Sequence, residues 1–243
     1  MELYHLLNRG VDRRTIFLDG QDYRRFIHSM FEFNMRRPAN HTKRTNLFPS
    51  ARLAHEEESP NGRLRKSAIG AGITAEVEGS GQKDRLVDIH GWCLMKNHYH
   101  LLLSEREEGA ITLFVRKLNI GYAKYFNERY KRSGTLFGGR TKKILINSDA
   151  HFLHILNYIH LNPLDYLEGT EEWRERKISG HSRALEYLKD YRWSSYKDYI
   201  GTPNFPSILA PELFKDVFGD YKKEIKDYLK DLDINVLRPF TLE

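Results

Sequence analysis

The pattern of hydrophobic and polar side chains in the first 31 residues predicts a strand followed by a helix. Residues 3–7 are strand-like, and the next three, Asn8-Arg9-Gly10, have the composition of a turn. From residue 17 to residue 22 the chain leads into a segment whose apolar side chains recur at helical spacing. These side chains are Tyr23, Phe26, Ile27, Met30 and Phe31. The pattern therefore indicates β followed by α.

Two apolar runs in the middle of the chain predict a β-hairpin. Residues 86–95 and 98–104 are each long enough for a strand, and only two residues separate them. The following segment, 110–130, places most of its apolar side chains on one helical face, and Gly134 lies beyond its end. These side chains are Leu113, Phe114, Leu118, Tyr122, Tyr125 and Phe126. A helix is expected to follow the hairpin.

A further strand and helix are predicted before residue 165. Residues 141–147 are strand-like, and Ser148 or Asp149 can cap the helix that follows. Pro163 ends that helix, because proline cannot continue the hydrogen-bond ladder. The helix carries Phe152, Leu153, Ile155, Leu156, Ile159 and His160.

The order β-α-β-β-α-β-α favours an α+β fold, a ferredoxin-like antiparallel sheet with helices packed on one face. We assign this core to residues 1–165. Residues 166–243 form a predicted accessory region, a C-terminal helical extension with helices near 182–188 and 211–232. From about 36 to 85 prolines, glycines and an acidic run replace the periodicity, which predicts a flexible insertion into the core.

Charge and cysteine content narrow the class of protein. The chain has 39 Lys and Arg against 33 Asp and Glu, a net charge of +6 that suits a polyanionic partner, although a mildly basic soluble surface would look the same. The single cysteine, Cys93, excludes an internal disulfide and fits a reducing compartment. No apolar run approaches the roughly 18 residues of a membrane span, so we expect a cytoplasmic protein without membrane association.

Two histidines on the second strand of the hairpin are candidate metal ligands. His98 and His100 are two residues apart, and the strand period of two directs both imidazoles to one face. A histidine pair needs a further protein ligand from elsewhere in the fold and leaves positions open for water or substrate oxygens. The alternative is that both side chains are simply solvated on an exposed strand face.

A tyrosine and an asparagine share one face of the last core helix. Tyr158 and Asn162 are four residues apart, so their side chains project together. A phenol can act as a covalent nucleophile on an electrophile polarised by a metal, and an amide oxygen suits a hard cation. The alternatives are a packed aromatic for Tyr158 and a helix-terminal residue for Asn162.

Five segments of the chain resemble the REP-associated tyrosine transposases, relatives of the single-tyrosine transposases of small bacterial insertion sequences. The resemblance spans most of the chain. The segments, in order, are YHLLNRGVDRRTIF, GWCLMKNHYHLLL, YFNERYKRSGTLFGGRTKK, YIHLNPL and YRWSSYKDYIG. The insertion after the first helix departs from the family pattern and leaves the choice of substrate open.

The resemblance implies roles for the same four residues. His98 and His100 correspond to the His-hydrophobic-His metal pair, Tyr158 to the nucleophile, and Asn162 to a further metal-binding side chain. It also implies a ferredoxin-like catalytic core that uses Mg²⁺ or Mn²⁺, of which Mn²⁺ is better matched to two imidazoles. The expected substrate is single-stranded DNA with imperfect palindromes, cut near a hairpin to leave a 5′-phosphotyrosine and a free 3′ hydroxyl.

Basic residues in two segments are candidate DNA contacts, because cationic side chains position phosphates without reading sequence. They are Arg9, Arg13, Arg14, Arg140, Lys142 and Lys143. The alternative is that these side chains are simply solvated at the surface of the protein. The segment 191–199 either packs on the sheet or touches DNA, and its aromatic content favours packing.

The sequence therefore predicts a metal-dependent tyrosine transposase of the bacterial cytoplasm, nucleoid-associated when bound to DNA and either monomeric or homodimeric. A protein that binds nucleic-acid hairpins without cutting them is a second hypothesis, and a metal nuclease that hydrolyses through water is a third. In both alternatives Tyr158 would be dispensable.

Overall fold

A computed structural model describes residues 1–36, 84–170, 172–175, 178 and 180–231 of the protein. The chain divides into two compact units, one of Met1–Asn34 with Leu86–Glu243 and one of Met35–Arg85. In the second unit Met35 and Arg85 form an isolated antiparallel bridge. The insertion predicted at about 36–85 falls almost entirely on residues 37–83, which lie outside the described residues.

The described residues of the larger unit contain four strands and seven α-helices. The strands are β1 (Leu3–Arg9), β2 (Val87–Met95), β3 (His98–Glu105) and β4 (Lys142–Ile146). The helices are α1 (Gly20–Phe33), α2 (Ala110–Arg129), α3 (Asp149–Leu161), α4 (His181–Asp190), α5 (Tyr196–Tyr199), α6 (Glu212–Phe218) and α7 (Tyr221–Asp231). Short 3-10 turns at Asn162–Tyr166 and Trp173–Glu175 follow α3.

The four strands form one antiparallel sheet in the order β2-β3-β1-β4. This is the strand order of a ferredoxin-like β-α-β-β-α-β unit, so the predicted α+β class and its sheet are confirmed. The long pairing of β1 with β3 places Leu7 opposite His100 and Arg9 opposite His98. Because opposed residues of an antiparallel pair share a face, these side chains lie on the same side of the sheet.

The two faces of the sheet carry different helices. On one face, Tyr99 of β3 packs against Phe26 of α1, with ring centroids 5.0 Å apart, and its hydroxyl donates to Asn119 of α2 at 2.8 Å. On the other face, the His100 ring is 5.8 Å from the Tyr158 ring of α3. The predicted one-sided helix layer thus consists of α1 and α2, and α3 covers the opposite face.

Helix α3 begins where its sequence predicts. The Ser148 side chain accepts a hydrogen bond from the His151 backbone amide at 3.3 Å, so Ser148, and not Asp149, is the N-cap. At the other end, Pro163 lies in the 3-10 turn that succeeds the helix. The cap and the proline thus set where the helix that carries Tyr158 begins and ends.

The segment after α4 extends the sheet at its β2 edge. The Leu94 amide donates to the Trp193 carbonyl at 2.9 Å, and the Ser195 amide donates to the Trp92 carbonyl at 3.0 Å. The Trp92 amide in turn donates to the Ser195 hydroxyl at 2.9 Å. The aromatic segment 191–199 therefore packs on the sheet, and its backbone covers an edge that would otherwise expose unpaired groups.

The predicted C-terminal helices are present, with one difference. The segment expected to form a single helix over 211–232 contains two, α6 and α7. Gly219, at φ 57°, stands at the C-terminal end of α6 and breaks the helix. Among the described residues, every helix is too short or too polar to cross a lipid bilayer. The boundary predicted near residue 165 stays a prediction.

Asp22 joins α1 to α2, and its removal is expected to destabilise the fold. Its carboxylate is fully buried and accepts hydrogen bonds from the Tyr125 hydroxyl at 3.0 Å and the Arg129 guanidinium at 2.6 Å. It also accepts from the Tyr130 hydroxyl at 2.8 Å. We expect Asp22→Ala to lower the free energy of unfolding by about 3 kcal/mol, because it removes a fully buried carboxylate and leaves the donors that share it without their acceptor. Urea unfolding measures the loss.

Asp19 provides the matched control for that substitution. Its carboxylate binds the same Arg129 at 2.6 Å, but its side chain is 49% exposed. Asp19 is also the N-cap of α1, so Asp19→Ala is expected to cost about 1 kcal/mol. Equal losses for Asp19→Ala and Asp22→Ala would contradict the assignment of Asp22 as the buried junction of the two helices.

His90 is expected to make stability depend on pH. The ring lies in β2 between the Ala210 carbonyl, 3.0 Å from Nδ1, and the Ser104 hydroxyl, 2.7 Å from Nε2. Burial lowers its pKa, although the hydrogen bond to Ala210 and the charge of Asp88 act in the other direction. Below about pH 6.5 the unfolded chain therefore binds a proton that the folded chain does not, so stability falls as pH falls.

The substitution His90→Gln tests this contribution, because glutamine retains a donor and an acceptor but does not titrate. The slope of unfolding free energy against pH below 6.5 should decrease, by at most about 1.4 kcal/mol per pH unit. Urea unfolding between pH 5 and pH 8 measures the slope. An unchanged slope in His90→Gln would show that His90 is protonated equally in the two states.

Candidate active site

His98 and His100 lie side by side on β3, as the strand period predicts. Their ring centroids are 4.9 Å apart and the rings are nearly perpendicular, at 79°. Both face α3, and both are buried, so the alternative of two solvated histidines on an open strand face is wrong. Two imidazoles converge in the space between the sheet and α3.

Each of these histidines has one nitrogen engaged and one nitrogen without a partner. The Nδ1 atom of His98 lies 2.6 Å from the Asn97 amide oxygen, to which it donates. The Nδ1 atom of His100 lies 3.0 Å from Nε2 of His5, on β1. The Nε2 atoms of His98 and His100 are buried and have no hydrogen-bond partner among the described residues.

Unpartnered buried nitrogen atoms are rare, and two on one face fit a cation that both could bind. Burial, together with the positive charge of Arg9, lowers the pKa of His98 to about 3. Burial also lowers the pKa of His100 well below its usual value. Both rings are therefore neutral at physiological pH, the state in which imidazole donates a lone pair to a metal.

Tyr158 on α3 packs beside His100 and the neighbouring His5. Its ring centroid is 5.8 Å from that of His100 and 6.0 Å from that of His5, in edge-on geometry. On its other side the ring is 5.9 Å from the Trp173 ring. Only 5% of the residue is exposed, so the phenol belongs to the site and not to the surface.

Asn162 is fully buried at the end of α3, and its amide is already engaged. The nitrogen donates to the Tyr158 carbonyl at 2.8 Å, as expected of a helix-terminal residue. The oxygen accepts from Arg174 at 3.2 Å, and Arg174 also donates to the Asp165 carboxylate at 2.9 Å. A carbonyl oxygen has two lone pairs, so this contact leaves one for another partner. The role of Asn162 as a ligand stays a prediction.

In the part of the chain that the structure describes, no group of three or more His, Cys, Asp or Glu side chains is arranged to hold a metal ion. A cation bound by the histidine pair would need oxygen ligands of another kind. Asn162, water and substrate phosphate are the chemically suitable ones for Mg²⁺ or Mn²⁺.

The basic candidates divide between the two faces of the sheet. Arg9 is opposite His98 and Lys142 is opposite Leu7, so both lie on the face of the histidine pair. Lys143 is on the other face, with its ammonium nitrogen 3.8 Å from the centre of the Tyr4 ring. The sheet thus separates Lys143, one of the six candidate DNA contacts, from the site.

Arg13, at the end of a short 3-10 turn, and Arg14 and Arg140, in loops, are exposed on segments that backbone hydrogen bonds join to the site. The Gly10 amide donates to the Asn97 carbonyl at 2.8 Å, which ties the first loop to the hairpin turn. The Gly138 amide donates to the Arg9 carbonyl at 2.8 Å, which ties the second loop to the end of β1. DNA contacts of these residues stay predictions.

Three polar residues of this site were not predicted from the sequence. His5 touches His100, whereas Arg174 and Asp165 form an ion pair beside Asn162. A period of two along β1 places His5 and Arg9 on one face, which is a usable signal only once the pairing with β3 is known. No sequence pattern connects Arg174 to Asn162, because an irregular turn brings them together.

Residues 74–162 match the family model described as Transposase IS200 like. The matched stretch contains the hairpin with both histidines and ends at Asn162. The chain is similar to the IS200-like transposases. The resemblance predicted from the five segments is confirmed, and the transposase similarity supports a DNA-processing function.

One solved structure similar to the chain is that of a REP-associated tyrosine transposase bound to a REP hairpin. The alignment covers 86% of this chain and 85% of the other, with 11% identity and a TM-score of 0.41. No curated protein matches the chain.

Proposed function

We propose that the protein is a metal-dependent transposase that cuts single-stranded DNA near a hairpin and forms a covalent link through Tyr158. The observation that carries the proposal is the phenol ring of Tyr158 beside His100, which adjoins His98; among the described residues the Nε2 atoms of both imidazoles have no hydrogen-bond partner. A nucleophile and two neutral metal-binding nitrogens between the sheet and α3 are the parts that phosphodiester cleavage of this type needs.

His98 and His100 would hold the cation, with Asn162 as a third ligand through its amide oxygen. A bound Mg²⁺ or Mn²⁺ would polarise the scissile phosphodiester and offset its negative charge. The chain supplies the rest. Asn97 orients the His98 imidazole through its Nδ1 atom, and the burial of both histidines strengthens electrostatic interactions at the site.

Tyr158 supplies the attacking oxygen. Its phenolic oxygen forms a bond to phosphorus, the bond from phosphorus to the 3′ oxygen breaks, and that oxygen leaves as a hydroxyl after gaining a proton. The phenolic proton is lost to solvent, so protons balance. The product is a 5′-phosphotyrosine, which conserves the energy of the phosphodiester, and attack by a 3′ hydroxyl on this link rejoins the strand.

The substrate must reach a phenol that is almost fully buried. Trp173 is one side chain that covers it, and DNA binding would have to displace this cover. Arg9 and Lys142 lie on the same face of the sheet as the histidines and would hold phosphates flanking the scissile one. Single-stranded DNA with an imperfect palindrome is the proposed partner, and the protein would act as a monomer or a homodimer.

Denaturing electrophoresis tests the proposal. The protein is incubated with 5′- and 3′-labelled single-stranded DNA hairpins from its own genomic neighbourhood, with Mn²⁺, Mg²⁺ or a chelator. We expect a slow-migrating covalent band that carries only the 3′ label, and a released 5′ fragment whose 3′ hydroxyl a polymerase extends. Chelator should abolish both products.

Each alternative hypothesis predicts a different gel. A non-catalytic hairpin-binding protein would shift the DNA on native gels and leave it intact under denaturing conditions. A water-using metal nuclease would release two fragments without a protein adduct. Either outcome would overturn the assignment of Tyr158 as a nucleophile.

A further inference from the structure

His5 is a buried histidine with an unusual position. It lies on β1, on the same face of the sheet as His100, and both residues have no exposed surface. The two rings are nearly coplanar, at 15° with centroids 5.2 Å apart, and Nε2 of His5 lies 3.0 Å from Nδ1 of His100. The β1–β3 pairing sets this geometry, since His5 is opposite Leu102 and Leu7 is opposite His100.

A hydrogen bond between two neutral imidazoles has two possible directions. If His5 donates, the proton of His100 sits on Nε2, where it has no acceptor and leaves no lone pair for a metal. If His100 donates from Nδ1, its Nε2 lone pair is free and the proton of His5 sits on Nδ1. Among the described residues neither His100 Nε2 nor His5 Nδ1 has a hydrogen-bond partner, so each arrangement leaves one N–H unsatisfied.

We propose that His5 is a positioning residue that accepts the Nδ1–H of His100 and so holds His100 in the form that binds metal through Nε2. This inference rests on the proposed metal site. A cation at Nε2 of His100 selects the second arrangement, because it needs that lone pair. Metal-binding histidines commonly donate their other ring N–H to a fixed acceptor, which aligns the ring and raises its basicity. Here that acceptor is a third histidine instead of a carboxylate or carbonyl.

Because the site is buried, water cannot take over the acceptor role of His5. Neither ring is accessible to solvent, so bulk water does not supply an acceptor for Nδ1 of His100. In His5→Leu the side-chain volume is retained and the acceptor is removed. In His5→Gln the amide oxygen can occupy the place of Nε2 and restore an acceptor. A packing role would respond to shape, whereas a positioning role responds to the acceptor.

Mn²⁺ binding without DNA distinguishes these roles. The affinity of the full chain for Mn²⁺ is measured by electron paramagnetic resonance of the free ion and by calorimetry, and thermal unfolding is recorded for each variant. We expect His5→Leu to weaken Mn²⁺ binding by about 10- to 100-fold and His5→Gln to bind within about threefold of wild type. His90→Leu, which removes a buried histidine elsewhere in the sheet, should leave the affinity unchanged.

Three results would overturn the inference. Wild-type affinity in His5→Leu would show that the acceptor is not needed, and equal losses in His5→Leu and His5→Gln would show that shape is what matters. A comparable loss in His90→Leu would show a general effect on the fold. If wild type itself binds no Mn²⁺, the proposed function fails together with the inference, whereas the other results leave the proposed function intact.

Discussion

Replacing Tyr158 with phenylalanine is expected to abolish the covalent protein–DNA adduct and to reduce strand cleavage by at least about 10⁴-fold. Phenylalanine keeps the ring that packs beside His100 and Trp173, so the fold and the affinity for the DNA hairpin should change little. Only the attacking oxygen is lost. Single-turnover cleavage on denaturing gels, with a parallel native-gel titration, separates the chemical defect from a binding defect.

Tyr4→Phe serves as the matched control, because Tyr4 of β1 lies on the face of the sheet opposite the histidine pair, where Lys143 packs over its ring. We expect this variant to cleave at the wild-type rate. An adduct that persists in Tyr158→Phe would mean that another side chain is the nucleophile. Cleavage without an adduct in both proteins would favour hydrolysis by water.

Removing His100 is expected to have the second largest effect. His100→Ala takes away one of two metal-binding nitrogens and also leaves His5 without its partner. We expect at least a thousandfold loss of metal-dependent cleavage, of about the same size as omission of the metal, with DNA affinity retained. The measurement is the cleavage rate over a series of Mn²⁺ and Mg²⁺ concentrations.

His98→Ala should behave in the same way, because its Nε2 atom is the second buried nitrogen without a partner. His181→Ala, in which the histidine starts α4 at a distance along the chain from the sheet, is the control and should retain activity. Full metal-dependent activity in both His98→Ala and His100→Ala would exclude the histidine pair as the metal site.

Local patterns were sufficient to predict the elements that carry the site. The period of two along β3 placed His98 and His100 on one face, and the spacing of four along α3 placed Tyr158 beside Asn162. These predictions depend only on the geometry of one strand or one helix. The order of elements likewise determined the ferredoxin-like sheet, because few antiparallel arrangements satisfy that order.

Contacts between segments that are distant along the chain could not be predicted from the sequence. The pairing of His5 with His100 depends on the register of β1 against β3, which a slip of one residue would reverse. The contact of Arg174 with Asn162 depends on the irregular turn after α3. The position of α3 on the face opposite α1 and α2 depends on the path of the chain after β4, for which no hydrophobic pattern is specific.

The sequence also could not show which of the basic residues lie on the same face of the sheet as the site. All six candidate DNA contacts are cationic and close in sequence to the motifs, yet Lys142 and Lys143 face opposite sides of the sheet. Alternation along a strand predicts that separation, but it does not indicate which of the two faces the site until the pairing with β1 is known. Residues in the loops, such as Arg13 and Arg140, follow no period at all.

Mass spectrometry of the trapped adduct identifies the residue that is linked to the DNA. Wild-type protein is reacted with a hairpin substrate and Mn²⁺, the DNA is digested to a short remnant, and the protein is cleaved into peptides. We expect a nucleotide remnant attached through its 5′ phosphate to the peptide that contains Tyr158, at that residue. A remnant on another tyrosine, or complete cleavage of the DNA with no modified peptide, would contradict it.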